Sequence, residues 1–80
     1  MFRTLVKTAV LVVEGQRIPV RYFHMRTLRG LRRYSVEVIL GPRDRIILDD
    51  DSLTNLEART ERLVPATIYS RLLAGRETAA

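Results

Sequence analysis

The segment Thr8-Ala9-Val10-Leu11-Val12-Val13-Glu14-Gly15-Gln16-Arg17-Ile18-Pro19-Val20-Arg21-Tyr22-Phe23 decides the fold. Its first six residues are rich in β-branched side chains, which lose least freedom on a pleated strand. Glu14-Gly15-Gln16 then interrupts the apolar run, and Gly15 can take the positive φ that a tight hairpin turn needs. The segment therefore predicts a β-hairpin, with strands over roughly Arg3 to Val13 and Arg17 to Met25. Whichever two of the three turn residues are central, the pairing shifts by two and every side chain keeps its face. One face then carries Ala9, Leu11 and Val13 beside Ile18, Val20 and Tyr22. The other carries Val6, Val10 and Val12 beside Pro19, Arg21, Phe23 and Met25. Both faces are substantially apolar, which is unusual for a hairpin with one wet side.

Downstream, Leu28-Arg29-Gly30-Leu31-Arg32-Arg33 reads as a charged loop broken by glycine. Tyr34, Val36, Val38 and Leu40 alternate with Ser35, Glu37 and Ile39, the period of a third strand. Gly41-Pro42-Arg43-Asp44 is a turn signal, and Arg45 to Leu48 makes a short fourth strand. The pattern changes after Asp49-Asp50-Asp51-Ser52, where Leu53, Leu56, Thr60 and Leu63 recur at helical spacing. Ser52 or Asp51 can cap the helix by accepting an orphan backbone N–H, and the acidic run suits the positive end of its dipole. Pro65 inside one long helix would cost ~3 kcal/mol, so the sequence predicts one helix over 52–63 and another over 65–74. The second would bury some of Ile68, Tyr69, Leu72 and Leu73 and stop at Gly75. Strands followed by helices define an α+β domain: an antiparallel sheet of about four strands, in two successive hairpins, with two short C-terminal helices packed on one face. Residues 1–75 form this single domain and 76–80 a frayed tail.

An 80-residue chain has room for one thin core, and small domains commonly add a disulfide, a metal or a partner subunit. Cysteine is absent and His24 is the sole histidine, so self-association is the first such support to expect and no cofactor is expected. The run Ala9 to Val13 is too short for a signal-peptide core or a membrane span. A cytoplasmic location is the expectation, consistent with a cysteine-free chain.

The net charge is +5, unevenly placed. Residues 1–45 hold ten cations and three anions, and residues 46–80 hold four and six. Thirteen of the fourteen cations are arginine, whose planar fork matches phosphate and stacks on flat rings. Codon bias in a GC-rich genome would explain that ratio, but not the asymmetry between the halves.

Three constellations follow. Arg17, Arg21, Arg26, Arg29, Arg32 and Arg33 surround Tyr22, Phe23 and His24, the mixture of cations and rings that single-strand binders use. The competing reading makes the rings core and the arginines edge-strand protection, since Tyr22 and Phe23 point to opposite faces. Asp44 and Asp49 to Asp51 offer oxygen ligands for a hard cation, but a calcium-loop spacing is missing and helix capping accounts for them. The apolar hairpin face of Val6, Val10, Val12, Pro19, Phe23 and Met25 is an interface candidate unless the second helix covers it. His24 lacks a nucleophile at a recognisable spacing, and neither a phosphate-binding glycine loop nor a nucleophile elbow occurs, so a non-catalytic chain is expected.

The sequence thus favours a small accessory or regulatory module that contacts nucleic acid through the Arg-rich half. The alternative is a protein-interaction module, a homodimer or an adaptor, that uses the apolar sheet face.

Overall fold

The computed structural model describes Arg3 to Ala79, with side chains through Gly75. Four strands, β1 (Arg3–Val13), β2 (Gln16–Arg26), β3 (Arg32–Gly41) and β4 (Asp44–Asp50), precede one helix, α1 (Leu53–Ala79). The strands form an antiparallel meander in the order β1-β2-β3-β4. Each connection is a hairpin, and α1 lies across one face of the sheet, so the fold is α+β.

The first turn is the two-residue Glu14-Gly15, with Val13 paired to Gln16. Both central residues have positive φ, 51° and 76°. That is the type I′ geometry, whose twist matches that of the flanking strands. The expected facing of the hairpin holds from Lys7 to Val13 but fails at its start. The register slips between Leu5 and Lys7, so Val6 is the extra residue of a bulge and Leu5 stands opposite Phe23. A bulge reverses the side-chain alternation beyond it, and Leu5 takes the place on the outer face that simple alternation assigns to Val6.

The core lies between the sheet and α1. Ile18, Val20, Tyr22, Val36 and Val38 from the central strands are buried against Leu56 and Val64 of the helix. Thr60 is fully buried between them, and its hydroxyl donates to the Leu56 carbonyl at 2.7 Å, so no polar group is stranded. Ser52 caps the helix by accepting the Asn55 N–H at 3.3 Å. Its own N–H donates to the Asp50 carboxylate at 2.9 Å.

One long helix replaces the two expected. Leu56, Thr60, Val64 and Ile68 follow at intervals of four, and this stripe crosses Pro65 without a break. Burying it as one continuous surface outweighs the hydrogen bond that proline cannot donate to the Glu61 carbonyl. Leu63, which the helical spacing grouped with Leu53, Leu56 and Thr60, is exposed, and Val64 is buried instead. Tyr69, Leu72 and Leu73 are also exposed, while Ile68 packs on the core. The helix continues past Gly75 instead of stopping there. Charged contacts fix it over the sheet: Lys7–Glu57 at 2.8 Å on the β1 side, and Arg59–Asp50 at 3.1 Å on the β4 side.

Candidate nucleic-acid interface

The β2–β3 hairpin projects as a short ribbon beyond the last pairs made by its neighbours, Arg3–Met25 on β1 and Tyr34–Asp50 on β4, and the β2–β3 pairing arranges the basic cluster. His24 stands opposite Tyr34, Met25 opposite Arg33, and Arg26 opposite Arg32. Side chains alternate along each strand, so His24, Tyr34, Arg26 and Arg32 share the helix-side face. The His24 and Tyr34 rings sit 5.4 Å apart at 50°. Immediately beyond them two guanidinium groups occupy opposed positions on the ladder. Among the described residues, neither Arg26 nor Arg32 has a carboxylate partner.

The connecting loop is well defined by its own hydrogen bonds. The Thr27 N–H donates to the Leu31 carbonyl at 2.9 Å, and the Gly30 N–H to the Thr27 carbonyl at 2.9 Å. The Leu31 N–H donates to the Thr27 hydroxyl at 3.2 Å. Gly30 has φ 78°, a value that strains any side-chain-bearing residue. This turn holds Arg29 at the ribbon tip beside Leu28, which is 98 % exposed. The tip therefore combines three arginines that have no carboxylate partner among the described residues, an exposed leucine and an adjacent ring pair.

The six arginines of the sequence reading do not form one patch. Arg26, Arg29 and Arg32 gather at the ribbon end. Arg17, Arg21 and Arg33 lie on the other face of the sheet, and Arg33 pairs with Asp51 at 2.7 Å. Tyr22, read beside the arginines, is core, and burial pushes its phenol pKa up. Tyr34 completes the ring cluster; with His24 its signal was a strand position that only the register could match.

The face away from α1 has a second charged group that the sequence did not expose. Glu37 sits in the middle of the sheet, only 5 % exposed. Arg3 and Arg45 each approach its carboxylate to 3.5 Å, and Arg21 stands opposite it on β2. The Arg3 guanidinium also lies 4.1 Å over the Phe23 ring, a cation–π contact. Three arginines around one carboxylate leave the face net positive.

The interface candidates divide as follows. Val10, Val12, Pro19, Phe23 and Met25 line this open face, Val6 belongs to the bulge, and Leu5 and Ile47 join the exposed apolar set. The helix covers only the opposite face.

The aspartates are engaged individually. Asp50 accepts from Ser52 and Arg59, which lowers its pKa, Asp51 pairs with Arg33, and Asp44 pairs with Arg71. Among the described residues no group of three or more His, Asp or Glu side chains is placed to hold a metal ion. A cavity of about 210 Å³ lies under the C-terminal half of α1, between Ile18, Leu40, Ile68 and Leu72, with the Asp44–Arg71 pair at its edge. It is remote from the ribbon end.

Among the described residues no helix is long and apolar enough to cross a membrane. Comparison with protein-family models, with curated proteins and with solved structures finds no match to the chain.

Proposed function

We propose that the chain is a small non-catalytic module that binds nucleic acid through the ribbon end formed by β2 and β3. Arg26, Arg29 and Arg32 would contact phosphates there, and the His24–Tyr34 pair would offer a stacking surface for a neighbouring base. The observation that carries this reading is the opposition of Arg26 and Arg32. Like charges directly across a ladder are destabilising, and among the described residues no acid pairs with either of these arginines. A polyanion supplies the missing counter-charge, and two guanidiniums on adjacent strands can engage successive phosphates.

Two features favour single-stranded or unpaired nucleic acid over a duplex. Stacking needs a base out of its helix, and the ribbon end presents rings and cations on one face. The ribbon also carries Leu28 at its tip, an apolar contact for a base or sugar. An accessory or regulatory role in the cytoplasm, a reducing compartment that suits a cysteine-free chain, completes the proposal.

Fluorescence anisotropy with labelled single-stranded and double-stranded DNA and RNA, repeated across salt concentrations, tests it. Neutralising three phosphates of a single strand gives a slope of log affinity on log salt near about −2. Absence of binding at low salt would remove the proposal.

A further inference from the structure

The two edges of the sheet are unlike. β4 carries two charged residues at each end, Asp44-Arg45 and Asp49-Asp50, around the short run Ile46-Ile47-Leu48, and ion pairs tie Asp44 and Asp50 to α1. Charges along an edge discourage pairing with another strand. β1 is guarded only in its first half, by Arg3, the Val6 bulge and Lys7. From Thr8 to Val13 it has no charge, no proline and no bulge.

The hairpin turn fixes which backbone groups of that segment face outward. A two-residue turn makes Val13 and Gln16 a hydrogen-bonded pair. Alternation then directs the N–H and C=O of Val13, Leu11 and Ala9 toward β2, and those of Thr8, Val10 and Val12 away from the sheet. Among the described residues no other part of the chain bonds to these outward groups. Val10 and Val12 are 50 % and 69 % exposed.

We propose that this edge pairs with the same edge of a second copy, β1 antiparallel to β1, to form a continuous eight-stranded sheet. The segment is self-complementary about Val10. A two-fold axis there sets Val10 opposite Val10, Thr8 opposite Val12 and Ala9 opposite Leu11, with every outward N–H and C=O of the three residues paired. Like faces stay on the same side, so both helices lie beneath one sheet and the two apolar patches merge. The register sets Val13 opposite the partner's Lys7, with Glu14 one residue beyond, so the charges at the two ends of the apolar segment are opposite in sign. The contact closes as a dimer, because the edges left outermost are the charge-guarded β4 strands. This inference stands apart from the nucleic-acid reading, since the ribbon arginines take no part in it.

Sedimentation velocity of the full chain over a range of concentrations tests the inference, with circular dichroism to confirm folding. Wild type sediments at twice the 9.2 kDa chain mass. V10P removes an outward N–H without breaking a bond to β2, and V12K places a charge on the edge. Each weakens dimerisation by at least about tenfold, and V12K keeps the test valid if V10P does not fold. I47K, an exposed site on β4 far from this edge, leaves the dimer intact. A monomeric wild type, a dimer that survives V12K, or loss of the dimer in I47K overturns the proposal; the last would mean that copies stack face to face.

Discussion

Arg26 and Arg32 face each other across the last paired rung of the β2–β3 ladder, and among the described residues neither has a carboxylate partner. Such a rung costs stability in the free protein, and the cost points to a function at that position. Replacing Arg26 by Glu creates an opposite-charge pair. R26E is therefore expected to raise stability by roughly 0.2–1 kcal/mol in urea unfolding while weakening nucleic-acid binding. A variant that is both less stable and fully active would contradict this trade-off.

Glu37 is held between Arg3 and Arg45 on the open face. Removing its carboxylate by E37A leaves two guanidiniums beside an apolar site, although both can still reach water. The expected loss is about 1–3 kcal/mol. Urea unfolding of E37A against R45A separates the carboxylate from its partners, with R45A the milder change because Arg3 remains.

Pro65 deprives the Glu61 carbonyl of its helical donor. P65A restores that donor within an unbroken buried stripe, so the helix should gain up to about 3 kcal/mol. The midpoint of thermal unfolding should rise. An unchanged or lower midpoint would mean that the half-buried proline ring packs well enough to offset the missing bond.

The sheet was legible in the sequence because strand signals are local: alternation, β-branched residues, and glycine turns at Gly15 and Gly30. The helix count was not, because the cost of Pro65 is local whereas the stripe from Leu56 to Ile68 gains its energy only against a sheet formed elsewhere. The same limit governed the site. Arg26 and Arg32 could be named from composition, but their opposition depends on the register of β2 and β3. Glu37 found its partners 34 residues upstream in Arg3 and on the adjacent strand in Arg45. The Val6 bulge left no composition signal, so Leu5 was missed as a member of the open face.

Stability should also vary with pH at both extremes. The bond to Glu57 raises the Lys7 pKa above its ordinary 10.5, and burial raises that of Tyr22 above 10.0. Groups with raised folded-state values give their full stabilisation below the unfolded values, and it is lost as pH rises through about 10 and above. The Ser52 N–H and the Arg59 guanidinium lower the Asp50 pKa below 3.8. That contribution is present above 3.8 and disappears as pH falls through the lower folded value. Urea unfolding from about pH 3 to about pH 11 should give a plateau with a decline at each end. Y22F should reduce the alkaline decline, and D50N the acid one.

The most direct measurement compares the salt dependence of single-stranded nucleic-acid binding in wild type with that of the triple variant R26A/R29A/R32A. The account predicts that wild type binds with a steep negative slope, and that the variant, still folded by circular dichroism, loses most of its affinity and flattens the slope by about 2. Equal affinity and equal slope in the two proteins would contradict it and exclude the ribbon end as the contact surface.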